Sequence, residues 1–137
     1  MSTCYLLDTN IVSHMMRDAA GLATRNFSAA TAANRDCAVV TSVVVECELR
    51  FGLERRPSAR LATALDRILA GIDVLPIDSE VAPRYASLRA HLEQLGTPIG
   101  PNDCLIAAHA LALDATLVSG DAEFARVPGL KLENWLI

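Results

Sequence analysis

Short apolar runs, separated by stretches long enough for a helix, restrict the fold of this 137-residue chain more than any other feature. Residues 4–7 (Cys-Tyr-Leu-Leu) stop abruptly at Asp8, and 38–41, 73–77 and 116–118 are further short runs, with a shorter fifth at 130–132. Continuous apolar runs of this length suit strands buried on both faces. The intervening segments carry helix punctuation. Thr9 or Asn10 can cap a helix through Met16, and 19–33 is Ala-rich. Ser42 caps a helix to about Leu53, loosened near Gly52, and Pro57-Ser58 starts another over 59–70 that Gly71 closes. A helix over 79–95 ends at Gly96, and Gly100-Pro101 opens the last, to about Leu113, with Pro where a missing N–H costs nothing. Strand and helix alternate throughout. The expected fold is α/β, with a mostly parallel sheet of four to five strands covered by helices on both faces. Neither repeat nor linker interrupts it, so residues 1–137 are expected to form one domain.

With one Trp, two Tyr and three Phe, the core must be built from Ala, Leu and Val. The first residues lack a basic region and a long apolar run, and no window approaches the roughly 18 apolar residues of a membrane span. A soluble, cytoplasmic protein is expected. Cys4, Cys37, Cys47 and Cys104 lie in four separate segments with no C-x-x-C spacing, which argues against zinc. Four free thiols in a reducing compartment are the expectation.

The net charge of −4 argues against binding nucleic acid through the overall field. It does not exclude a nuclease, because a divalent cation offsets the charge of the carboxylates around it. Locally, Arg50, Arg55, Arg56 and Arg60 stand against a single Glu54. This stretch either holds phosphates or is a solvated helix end.

In an open parallel sheet, sites form beyond the carboxyl ends of the strands, where strand order reverses. Asp8 directly follows the first strand, and Asp121 falls just after the fourth, in Ser119-Gly120-Asp121. Glu48 lies in the second turn of the helix leaving the second strand, and Asp103 in a first helical turn. Each acid alone is ordinary, since Asp favours turns and helix starts. Four aimed at one spot repel one another, and a bound hard cation is the usual resolution.

Leu6-Leu7-Asp8-Thr9-Asn10 resembles the opening motif of PIN domains. The segment 41–52, with Glu48-Leu49 before Phe51-Gly52, is similar to the second motif of that family. Residues 98–103 followed by 106–110 resemble the third, and 117–121 with Glu123-Phe124 and 127–130 the fourth. Order and spacing match along nearly the whole chain, and the likeness is greatest to the VapC toxins of bacterial toxin–antitoxin pairs, particularly their FitB-like branch. The resemblance implies an endoribonuclease dependent on Mg²⁺ or Mn²⁺, acting on tRNA or another structured RNA. It also implies a homodimer and inhibition by a VapB-type antitoxin whose tail reaches the acidic cleft. Asp8, Asp103 and Asp121 are the expected metal ligands. Glu48 completes the catalytic set, either on a second ion or orienting the attacking water, and Asn10 and Ser119 are candidates for supporting hydrogen bonds.

Glu46 and Glu48 project about 200° apart on one helix, so only one can face the metal. Glu46 has Arg50 four residues on, an arrangement that suits an exposed pair. Glu48 matches the Glu-Leu pair of the second motif, and the resemblance favours it. His14, His91 and His109 share no spacing and are expected to be structural or exposed. Asp78 with Ser79 reads as a turn and cap, and Asp73 and Asp114 flank strands at the far ends. An aspartyl-nucleophile phosphohydrolase is disfavoured, because Asn10 stands where a second Asp is needed. A partner-binding module without activity is disfavoured by the intact acids.

Overall fold

The computed structural model describes residues 2–137. Five strands form one parallel sheet: β1 (Ser2–Leu7), β2 (Cys37–Ser42), β3 (Asp73–Leu75), β4 (Thr116–Val118) and β5 (Leu132–Glu133). Their order is β3-β2-β1-β4-β5, with β1 in the middle. The chain lays down β1, β2 and β3 in one direction, then returns to the other side of β1 for β4 and β5. The reversal opens a crevice between β1 and β4. Leu7 pairs with Val118 at its rim, and the Asp8 N–H extends the ladder by bonding the Val118 carbonyl at 2.9 Å.

Helices cover the sheet: α1 (Thr9–Arg17), α2 (Leu22–Ala33), α3 (Val43–Arg55), α4 (Ala59–Gly71), α5 (Val81–Gln94) and α6 (Pro101–Leu113). α1 packs against α2, α3 and α4, and α5 packs against α6. Leu6 and Leu7 of β1 are fully buried, as its central position requires, and so are Ile106, Ala107, Ala108 and Ala110 of α6. A helix apolar on so many sides has to be an interior one. Small Ala side chains let α6 approach the sheet closely, which brings its first turn to the crevice.

Local chemistry sets the helix ends. Ser42 and Ser58 accept backbone N–H bonds from Val44 and Leu61 as N-caps. Gly96, at φ +71°, ends α5 with paired bonds, Gly96 N–H to the Glu93 carbonyl and Thr97 N–H to the Leu92 carbonyl. Several expected boundaries shift, with β3 ending at Leu75 rather than 77 and β5 at Leu132–Glu133 rather than 130–132. α2 begins at Leu22 rather than 19, because the Asp18 side chain accepts the Ala20 N–H and makes a turn of those residues. α5 begins at Val81 because the Asp78 side chain likewise accepts the Glu80 N–H. Gly52 lies inside α3, which runs two residues past Leu53 to Arg55.

The cysteines require a correction. Cys4 and Cys37 are joined as a disulfide, with Cα atoms 5.4 Å apart, so four free thiols are not what the fold contains. The cause is a register irregularity between Thr3 and Tyr5, which makes Cys4 an extra residue beside the first residue of β2. Cys47 is free and exposed. Cys104 is free and buried, and that burial pushes its thiol up, away from reactivity. No helix among the described residues is long and apolar enough to cross a membrane.

Candidate metal centre

Asp8 is held where β1 becomes α1. It is the N-cap residue of α1, its carbonyl accepting from the Ile11 and Val12 N–H groups. The expected cap, Thr9 or Asn10, is displaced one position because the helix starts as soon as the strand ends. The Asp8 side chain makes no cap hydrogen bond and turns instead into the crevice, 4 % exposed. Its Oδ2 accepts from the Ser119 hydroxyl at 2.7 Å, while Oδ1 is buried with no hydrogen-bond partner. A buried carboxylate oxygen left bare is costly unless a cation or proton meets it. Burial raises the Asp8 pKa above the usual carboxylate value; the Ser119 hydroxyl and the Thr9 backbone N–H pull it down, and the charges of Glu48 and Asp121 add to the rise.

The neighbours of Asp8 recruit the rest. Thr9, the next residue, donates its hydroxyl to Glu48 Oε1 at 2.6 Å and so brings α3 to the crevice. Glu46 faces elsewhere, in a 2.6 Å ion pair with Arg50. Asn10 accepts the Gly120 N–H at 3.1 Å and lies 3.4 Å from the Ser119 hydroxyl, tying α1 to the loop after β4. Ser119 also accepts the Asp121 N–H at 3.0 Å, so one buried hydroxyl positions both Asp8 and Asp121. Asp121 caps a short 3-10 helix, Ala122–Arg126, accepting the Glu123 N–H at 2.9 Å.

Asp103 enters from the first turn of α6, and carboxylate oxygens of Asp103, Asp121 and Glu123 lie within 4.8 Å of one another. The Asp103 pKa is pushed up to about 6, first by burial and then by the charges of Asp8, Glu48, Asp121 and Glu123. Five carboxylates thus act on one spot. Oxygen-only donors of this kind suit a hard divalent cation and not zinc or copper. Asp8 and Glu48 act on Asp103 through their charge and lie outside the set whose oxygens fall within 4.8 Å of one another.

All four acids singled out from the sequence, Asp8, Glu48, Asp103 and Asp121, are brought to the crevice, together with Asn10 and Ser119. Two participants were missed. Glu123 joins the acidic group because the 3-10 helix turns it back beside Asp121; in the sequence it stood within the fourth motif with no ligand role assigned to it. Thr9 was read as a cap, yet it orients Glu48. The histidines stay outside. Nδ1 of buried His109 and the Ser42 hydroxyl are 2.9 Å apart, and burial lowers the pKa of that ring, keeping it neutral.

Residues 5–130 match the PIN domain family model. The chain belongs to the PIN-domain family. Within it, the chain is 35 % identical to ribonuclease VapC2 of Rickettsia felis, over 96 % of this chain and 97 % of that one. It is 31 % identical to the tRNA(fMet)-specific endonuclease VapC of Salmonella typhimurium, over 96 % and 97 %. These likenesses place it among the VapC ribonucleases. The crystal structure of VapBC2 from Rickettsia felis bound to a promoter DNA fragment contains a similar fold, with TM-score 0.88 and 32 % identity over 97 % of this chain and 99 % of that chain. PIN nucleases are metal-dependent, in keeping with the acidic cluster at this crevice.

Proposed function

We propose that the chain is the toxin of a type II toxin–antitoxin pair, an endoribonuclease using Mg²⁺ or Mn²⁺ to cleave tRNA or another structured RNA. The observation that carries the proposal is the group of Asp103, Asp121 and Glu123, with carboxylate oxygens within 4.8 Å of one another, joined by the charge of Asp8, whose buried Oδ1 has no partner. Asp8, Asp103 and Asp121 would hold the cation. When bound, it would acidify a water and offset charge growing on the scissile phosphate. Glu48, aimed by Thr9, orients the attacking water or takes a second ion. Ser119 and Asn10 hold Asp8 and the Asp121 loop in place. Residues 1–137 act as one PIN domain, as a homodimer, in the cytoplasm where the RNA is and where Cys4 and Cys37 would be held as a reduced pair. A VapB-type antitoxin restrains it; the similarity to a VapBC complex supports that partner, and an antitoxin cation entering the acidic crevice would compete with the metal.

The test is sequencing of RNA 5′ ends after brief induction, with Asp103→Asn as control. Discrete new ends with the native chain and none with the variant are expected. Equal toxicity of both proteins without cleavage would overturn the proposal.

A further inference from the structure

We infer that Phe51 and Arg55 form a nucleotide-binding platform beside the crevice, stacking a base and gripping a phosphate of the RNA outside the scissile position. This inference rests on the ribonuclease reading. Glu48, Phe51 and Arg55 occupy positions i, i+3 and i+7 of α3, within about 60° of one another around the helix. Glu48 sits at the crevice through Thr9, so the other two continue the same face away from it. Arg55 lies about 10 Å along the axis from Glu48. That distance suits a neighbouring nucleotide rather than the one cleaved.

Phe51 is 62 % exposed, unusual for a large aromatic side chain in a well-packed fold. The Arg55 guanidinium carbon lies 5.7 Å from its ring centroid, in cation–π contact. That contact holds the guanidinium near the ring, and with no ion pair its N–H groups are available to bind phosphate. The exposed remainder of the ring offers a π-face to a base, and unpaired bases of RNA loops are recognised in this way. Charge separates Arg55 from its neighbour. Arg50 is occupied by Glu46 and Asp66, whereas Arg55 makes no ion pair among the described residues. The expectation that 50–60 either holds phosphates or is merely solvated thereby divides: Arg50 is neutralised and Arg55 is free. RNA is the occupant that fits an unpaired cation stacked on an aromatic ring and continuous with a nuclease centre.

The experiment measures steady-state cleavage of bulk tRNA by the full chain with Mg²⁺, alongside tRNA binding by fluorescence polarisation in EDTA. Phe51→Ala is expected to raise KM about 10-fold with a much smaller change in kcat, and Phe51→Trp to restore it. Arg55→Ala is expected to raise KM and flatten its salt dependence. An unchanged KM in Phe51→Ala, or failure of Phe51→Trp to restore it, overturns the platform and leaves the ribonuclease reading standing. A native chain that binds tRNA more tightly than Phe51→Ala but never cuts it supports the platform and sinks the ribonuclease reading. A fall in mass of Phe51→Ala from dimer to monomer in sedimentation assigns the face to a subunit contact and overturns the platform. Phe51 is exposed, so the variants should keep the native melting transition.

Discussion

The two ends of β1 are built on opposite principles. At its start, Cys4 is covalently joined to Cys37 of the neighbouring strand. Just past its end, Asp8 feels the charges of Glu48 and Asp121 and keeps one oxygen without a partner. One end restrains the chain and lowers the entropy of the unfolded state. The other sets like charges against one another directly beyond Leu6 and Leu7, which are fully buried in the core. The proposed site sits at the repulsive end, a common division, since active groups are held in environments that stability alone would not choose.

The largest expected effect breaks the repulsive end. Asp103→Asn should lower kcat on RNA by about 10²–10³-fold or more, the scale for losing a group that stabilises developing charge. Mg²⁺ should raise the melting temperature of the native chain and not of the variant, by thermal shift. If the variant is stabilised by metal as strongly as the native chain, Asp103 does not hold the cation.

The next effect is at the restrained end. Cys4→Ser, or reductant on the native chain, should cost about 4 kcal/mol in urea unfolding, by the chain-entropy relation for a sequence separation of 33. Cleavage per folded molecule should not change. A loss of activity at full folding would mean that the two ends are coupled along β1.

A third change acts on the link between Asp8 and the β4 loop. Ser119→Ala removes the hydroxyl that positions both Asp8 and Asp121, and metal affinity measured by titration calorimetry should fall about 10–100-fold. Unaltered affinity would show that the strand ends alone hold the acids in place.

The smallest effect sharpens the comparison through pH. Asp103 in the folded protein has a pKa of about 6, against 3.8 for the ordinary side chain. The folded state therefore binds more protons between these values, and this group stabilises the fold as pH falls through 6. In EDTA, Asp103→Asn should be more stable than the native chain above pH 6, with the difference vanishing near pH 4. Comparing the two proteins cancels His109, whose lowered pKa works the other way, favouring unfolding as pH falls below 6.5. A difference independent of pH in chemical denaturation would remove charge repulsion as the cause.

Much of this was legible from residues alone because it is local. Buried strands announce themselves as apolar runs, helix starts by Ser42 and Ser58, and helix ends by Gly96. Asp8 could be placed because it terminates an apolar run, and Glu48 could be separated from Glu46 by helical period and the partner Arg50. The misses depend on contacts across the chain. The Cys4–Cys37 link follows from an irregular register between strands more than thirty residues apart in sequence. Thr9 could not be told from an ordinary cap without knowing that α3 packs beside it, and Glu123 needed the 3-10 turn.

Sequence by itself determined the α/β alternation and the acids that can stand at strand ends, since periodicity and punctuation act within a few residues. Tertiary structure decided the strand order that opens the β1/β4 crevice and the shared hydroxyl of Ser119. It also decided the raised Asp103 pKa and the bare oxygen of Asp8. These arise from burial and from charges brought together across the whole chain, which no local pattern encodes.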